Sequence, residues 1–351
     1  IMKIHLIAIG GAAMHNLAIA LHKKGFIVTG SDDVVYEPSK SRLEIHGLLP
    51  AEMGWDESRI TPDIDAIILG MHARVDNPEL LKAQQLGLKI YSYPAYIYEQ
   101  SKDKIRVVVG GSHGKTTITS MILHVLNYHQ KEFDYLVGAQ LAGFDTMVKI
   151  TDSAPIMIIE GDEYLASPID RRPKFHLYHA NIAVISGIAW DHINVFPTFA
   201  DYVEQFSKFI DTITPNGKLI YCELDKELKK TVDQSTADVV KIPYAIPNHE
   251  IENGITYLLP QHTKLSVFGD HNLMNLNAAK QVCAQLGIEE DGFNAAISSF
   301  AGAAKRLELI SAVDQTNVYK DFAHSPSKLK ATINAVKAQF LNRKLVACIE
   351  L

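Results

Sequence analysis

The stretch 105–117, IRVVVGGSHGKTT, limits what this chain can fold into more than any other. Residues 105–109 are mostly β-branched and read as a buried strand. Gly110, Gly111, Ser112, His113 and Gly114 follow as a glycine-rich turn. Lys115, Thr116 and Thr117 then open a helical pattern running to about Asn127. Strand, glycine turn, Lys-Thr and helix is the layout of a phosphate-binding loop. Glycines let backbone N–H groups turn inward toward phosphate oxygens, and the helix N-terminus adds a positive dipole end. The lysine reaches the β- and γ-phosphates, and a threonine hydroxyl sits on Mg²⁺. The general pattern asks for glycine six positions before the lysine, where this chain has Val109.

At 351 residues the chain is too long for one ordinary core, so two or three domains are expected. The net charge of −6, with no Lys/Arg block, argues against nucleic acid as a partner. Cys222, Cys283 and Cys348 are scattered without metal spacing and fit a reducing cytoplasm. No apolar run spans a membrane. The N-terminal IMKIHLIAIGG lacks a charged leader and runs into a glycine turn, so it reads as a strand rather than a signal peptide. Ile1 before Met2 reads as an appended residue.

Residues 3–9 form that strand, and Gly10-Gly11-Ala12-Ala13-Met14 leads into a helix that Gly25 should cap. A second strand at 26–29 runs into Gly30-Ser31-Asp32-Asp33. This βαβ start, with an acid after the second strand, suits a diphosphate-bearing ligand at the glycine turn and Asp32 or Asp33 near a ribose. The full G-x-G-x-x-G is absent, and a plain α/β turn would look the same. Strands at 66–69 and 89–91 and a helix at 78–86 continue a parallel, doubly wound sheet. The polar joint 101–104 marks a boundary.

After the phosphate loop, a strand at 155–159 delivers Glu160-Gly161-Asp162-Glu163, as a Mg²⁺-holding element would. A strand at 182–185 leads to Trp190-Asp191-His192, where the histidine is a ligand or a satisfied polar residue. The helix at 199–213 has strong apolar periodicity and reads as core. A strand is expected at 218–221, and residues 249–264 read as short strands giving the sheet an antiparallel part. Asn272 and Asn275 open a helix, as caps or as readers of an adenine edge. Past Arg306 a βα pattern is expected: strand 317–319, Asp321-Phe322-Ala323-His324-Ser325-Pro326, helix 327–340 and strand 344–349. Two strands and one helix cannot cover a parallel sheet on both faces, so this last unit reads as incomplete.

Together these elements resemble the Mur ligases, ATP-dependent amide-forming enzymes of the bacterial cell wall. That family's loop, G-T-x-G-K-[ST]-[ST], matches Gly111-Ser112-His113-Gly114-Lys115-Thr116-Thr117 and accounts for Val109. Its acidic element matches Glu160–Glu163, its Asp-His matches Asp191-His192, and its His-Asn-x-x-Asn matches His271 to Asn275. Its junction arginine matches Arg306, and its Asp-[Tyr/Phe]-Ala-His matches Asp321 to His324. An asparagine usual before the Asp-His is replaced around Ser186-Gly187, and a usual His-His-Pro is His324-Ser325-Pro326.

The resemblance implies an α/β chain of three units. These are a Rossmann-like UDP-sugar domain at 1–103, a central P-loop ATPase domain with a mostly parallel sheet at 104–306, and the truncated beginning of a Rossmann-like C-terminal domain at 307–351. Gly10, Gly11, Ala12, Met14, Asp32 and His72 would hold UDP-N-acetylmuramate, which Asp76-Asn77-Pro78-Glu79-Leu80 also suits. The phosphate loop, Asn272, Asn275, Arg306 and Asp321 would hold ATP. Thr116 and Glu160 would hold one Mg²⁺ and His192 a second. Lys115, Glu160, His192, Arg306 and His324 would carry the chemistry, with Phe322 near the incoming amine. Two stretches look like the recycling branch, the murein peptide ligases: Glu163-Tyr164 with 170–175, and 190–197. That branch adds the tripeptide L-alanyl-γ-D-glutamyl-meso-diaminopimelate, whereas a biosynthetic sister adds L-alanine. A folylpolyglutamate-type ligase shares the ATP machinery but not the UDP-sugar-like start. A non-catalytic nucleotide-binding module would not need Glu160, His192 and Arg306 together. Nothing in the sequence calls for an obligatory protein partner.

Overall fold

A computed structural model of the chain describes residues 1–303, 306–323 and 326–349, apart from the side chain of Ser327. The first segment contains β1 (Lys3–Ile7), α1 (Ala12–Lys23), β2 (Ile27–Ser31), α2 (Ser39–Ile45), β3 (Ala66–Leu69), α3 (Pro78–Gln85), β4 (Ile90–Ser92) and α4 (Tyr93–Ser101). Its four strands pair in parallel in the order β2-β1-β3-β4. The expected cap of α1 is present: Gly25 has φ +94°, and the Phe26 N–H closes on the Leu21 carbonyl. Asn77 caps α3 by accepting from the N–H groups of Glu79 and Leu80.

The central segment contains β5 (Ile105–Gly110), α5 (Lys115–Tyr128), β6 (Asp134–Leu136), β7 (Val148–Lys149), β8 (Ile156–Glu160), β9 (Ile182–Ile185), α6 (Phe199–Asp211), β10 (Gly217–Cys222), α7 (Lys226–Gln234) and β11 (Val239–Tyr244). These strands order as β11-β10-β9-β5-β8-β6-β7, parallel except for β7. The buried apolar run of β5 lies in the middle, between β8 and β9. Val109 pairs with Glu160 and Gly110 with Ile185, so three adjacent strands release their C-terminal ends at one edge. Ligands of open α/β sheets bind at such an edge.

Next come β12 (His249–Glu252), β13 (Ile255–Leu258) and β14 (Thr263–Leu265), then α8 (Asp270–Gln285) and α9 (Glu290–Ile297). The three strands form their own antiparallel sheet, rather than the antiparallel part of the main sheet that the sequence suggested. The main sheet takes its antiparallel edge from β7 instead. The third segment has β15 (Glu308–Val313), β16 (Thr316–Lys320) and α10 (Pro326–Gln339). β15 and β16 form an antiparallel hairpin, where the sequence suggested a single strand in a βα unit. The expected strand at 344–349 does not form. Val346 is 74% exposed there, and a strand without a neighbour leaves its backbone groups unpaired.

The first and central segments share one contiguous apolar core. At their border, Asn16 of α1 accepts from the Met147 N–H at 3.1 Å, and the Arg42 guanidinium donates to the Asp145 carbonyl. The third segment attaches through a small cluster, Phe268, Leu307 and Ala335 with Tyr319, Val336 and Phe340 beside it. Gln339 adds bonds to Thr256 and the Gly254 carbonyl.

Candidate active site

The loop after β5 is shaped by what it touches. Gly111 has φ +118°, and a Cβ there would run into Ser186. Gly114 has φ +80°, and a Cβ there would strike the Asn275 carboxamide of α8. Only glycine suits both constraints. Ser186 stands where the family pattern has asparagine nearby. It ties β9 to the loop through its N–H to the Gly110 carbonyl at 3.1 Å and its hydroxyl to the His113 carbonyl. Ser112 accepts from the Ala189 N–H at 2.8 Å. Both ring nitrogens of His113 are buried and have no partner among the described residues. Burial, together with Lys328 and Lys115, holds this imidazole below its ordinary pKa.

Two carboxylates meet the Lys-Thr of the loop, and a histidine and a third carboxylate lie beside one of them. The Thr116 hydroxyl donates to Glu160 at 2.9 Å, and the other Glu160 oxygen accepts from the Gly138 N–H at 2.8 Å. Burial raises the Glu160 pKa, against the pull of those bonds. Lys115 Nζ donates to Glu163 at 2.8 Å and to the Gly111 carbonyl at 2.8 Å. Burial works against this ammonium, but Glu163 outweighs it and the lysine pKa is raised. His192 Nε2 lies 3.7 Å from Glu163. Asp191, His192 and Glu163 each offer a ligand atom, all within 4.8 Å of one another. Hard oxygen donors beside one imidazole suit Mg²⁺ or Mn²⁺. Thr116 with Glu160, and His192 with its two carboxylates, therefore fit the family's metal.

Two site residues were missed in the sequence. The Tyr202 hydroxyl, on the helix read as core, donates to Glu163 at 3.1 Å and bonds Ser112 at 2.9 Å. Its ring is core as expected, and only a polar tip on a buried face could have signalled the second role. Lys328, in the first turn of α10, lies within electrostatic reach of Arg306, Asp191, Lys115 and Glu163, and burial lowers its pKa. The Arg306 guanidinium sits 5.4 Å from the Phe322 ring centroid. Asp321 is engaged within its own segment, accepting from the Leu307 N–H at 3.0 Å and from the Thr332 hydroxyl. Asn272 is buried and donates to the Phe268 carbonyl, so of the two asparagines Asn275 is the one against the loop. His324 lies outside the described residues.

The first segment gathers its own group. Asp32 accepts from the Gly10 N–H at 2.7 Å and bonds His72 at 3.1 Å. Burial alone would raise the Asp32 pKa, but these bonds hold it below the usual carboxylate range. The same hydrogen bond raises His72. Gly11 lies beside His72 and Met14, while Ala12 is exposed. No helix among the described residues is long and apolar enough to cross a membrane.

The model of the Mur ligase middle domain matches residues 109–283, and that of the Mur ligase family catalytic domain matches 3–104. A UDP-N-acetylmuramate–L-alanine ligase of Caldicellulosiruptor bescii is 32% identical over 95% of this chain and 74% of its own length. A UDP-N-acetylmuramate–L-alanyl-γ-D-glutamyl-meso-2,6-diaminoheptandioate ligase of Haemophilus influenzae is 29% identical over 95% of this chain and 76% of its own. The crystal structure of a murein peptide ligase from Psychrobacter arcticus superposes with a TM-score of 0.76 at 25% identity, covering 97% of this chain and 77% of that one. Sequence motifs, α/β architecture and both domain matches agree: the chain belongs to the Mur ligase family and is an ATP-dependent ligase.

Proposed function

We propose that this ligase joins UDP-N-acetylmuramate to the recycled tripeptide L-alanyl-γ-D-glutamyl-meso-diaminopimelate, in the cytoplasm where ATP and the sugar nucleotide are found. The ATP-dependent chemistry of this reading rests on the meeting of Lys115, Thr116, Glu160, Glu163 and His192 at the ends of three adjacent parallel strands, and the acceptor on the resemblance of Glu163-Tyr164 with 170–175, and of 190–197, to the murein peptide ligases. Segment 1–103 would hold the sugar nucleotide through Gly10, Gly11, Ala12, Met14, Asp32 and His72. Segment 104–306 would hold most of the ATP, and 307–351 would complete the site.

An unactivated carboxylate is a poor electrophile. A lactyl carboxylate oxygen attacks the γ-phosphorus of ATP, the bond to the β–γ bridging oxygen breaks, and ADP leaves. The amine nitrogen of the acceptor then attacks the acyl-phosphate carbon, phosphate departs with its oxygen, and the amine proton passes to solvent. Lys115 and Arg306 would neutralise the approaching anions. Mg²⁺ at Thr116 and Glu160, with a second ion at His192, supplies further charge neutralisation when bound. Asn275 would meet the adenine edge and Asp321 the ribose. Phe322 and His324 would face the amine.

L-alanine as acceptor is the second reading, favoured by relatives at 30–33% identity that carry that name. The deciding test is ATP-dependent phosphate release with UDP-N-acetylmuramate and each acceptor separately. Release with the tripeptide alone is expected. Release with L-alanine alone would select the second reading, and release with neither would overturn both.

A further inference from the structure

We propose that Glu163 is a stand-in for the nucleotide phosphates. It neutralises Lys115 in the nucleotide-free enzyme and passes to the divalent cation, beside Asp191 and His192, when a phosphate takes the lysine. The proposal rests on reading Lys115 as a phosphate ligand.

Glu163 is 1% exposed, and its two oxygens have different partners. One accepts from Lys115 Nζ at 2.8 Å. The other accepts from Tyr202 at 3.1 Å and faces His192 at 3.7 Å. An ammonium removed from water without a counter-charge is costly, so the ion pair is what keeps this lysine in place whenever no phosphate is on it. The same pair is an obstacle to the nucleotide. A phosphate approaching Lys115 meets a buried carboxylate on the same nitrogen, and the two anions repel. A divalent cation removes the conflict, because Glu163 already lies within ligand range of Asp191 and His192.

Tyr202 is the positioning residue. The Ala189 N–H donates to Ser112, Ser112 to Tyr202, and Tyr202 to Glu163. This one-way chain anchors the oxygen nearest His192 and leaves the oxygen on Lys115 to exchange. Nucleotide without metal should therefore bind poorly, and metal should tighten it strongly.

The test is a titration with ADP and with ATP, in EDTA and in excess Mg²⁺, read by displacement of a fluorescent nucleotide. In EDTA, Glu163→Gln should bind both nucleotides about tenfold tighter than wild type, since competitor and repulsion are gone. Its gain on adding Mg²⁺ should shrink by about the same factor. Unchanged or weaker binding in EDTA, with a wild-type gain from Mg²⁺, would overturn the proposal. Tyr202→Phe keeps the charge and loses only the anchor, so it also serves if Glu163→Gln does not fold. It should narrow the Mg²⁺ gain about threefold, and an undiminished gain counts against the chain. Lys115→Ala separates the two levels. If it abolishes nucleotide binding while Glu163→Gln behaves as wild type, only the stand-in falls. If it changes nothing, the phosphate-loop reading falls with it.

Discussion

Two glycine turns, each at the end of a parallel strand and each opening a helix, are used in opposite electrostatic senses. The turn after β1 is plugged by an anion: Asp32 takes the Gly10 N–H, and half-exposed His72 closes the group. The turn after β5 is filled by a cation, with Lys115 folded back on the Gly111 carbonyl and a buried carboxylate beside it. A carboxylate at a turn suits hydroxyl and amide donors. A lysine at a turn suits phosphate oxygens. The backbone motif is thus common to both, and the charge set on it decides the ligand.

Removing that charge should give the largest difference. Lys115→Ala is expected to cut phosphate release about 10³-fold. Activity within tenfold of wild type would mean that the second turn is no more cationic in use than the first. Steric demand separates the turns next. An alanine at Gly114 meets both φ +80° and the Asn275 carboxamide, whereas an alanine at Gly11 finds nothing nearer than 3.7 Å. Gly114→Ala should weaken ATP binding about thirtyfold, while Gly11→Ala leaves ATP binding within about twofold. Equal losses in a binding titration would erase the contrast. Asp32→Asn should raise the KM for the sugar nucleotide about tenfold and leave that for ATP alone. A change confined to the ATP constant would assign Asp32 to the wrong turn.

The smallest effect is a pH dependence. His72 has its folded pKa raised above the ordinary 6.5, chiefly by the Asp32 hydrogen bond. Its contribution to stability is therefore present below 6.5 and is lost as pH rises through the raised folded value. Because the side chain is half exposed, His72→Gln should change the drop in Tm across that window by only about 1 °C. An unchanged drop would remove the pair from the stability of the first turn.

The sequence was most legible where local chemistry and local structure coincide. The spans 66–69 and 182–185 form as expected, because continuous apolar runs between turns leave one solution. Lys115, Thr116 and Glu160 could be read because a glycine loop and an acid after a strand are contiguous signals. The Ser112–Tyr202–Glu163 bonds could not, since they join residues 90 and 39 positions apart. α4 was also passed over, although Ser92 caps it and Pro94 lies in its first turn. Its three tyrosines and Ile97 are weak helix formers, so the local signal for a helix is faint. The stretch 344–349 shows the opposite failure. Its pattern suits a strand, but a strand exists only with something to pair against.

The bond from Met147 to Asn16 joins a loop of the central segment to the helix that opens on Gly10 and Gly11. The same loop region returns to the main sheet: the Val137 N–H donates to the Met147 carbonyl, and Gly138 next to it holds Glu160. With a continuous apolar core behind it, this strut makes the first two segments a single anvil. A carboxylate seated on one face would be presented to the other at a fixed distance. Adjustment between reactants would then fall to the hammer, the segment beyond Arg306 that carries Lys328 and joins the rest through the Phe268, Leu307 and Ala335 cluster.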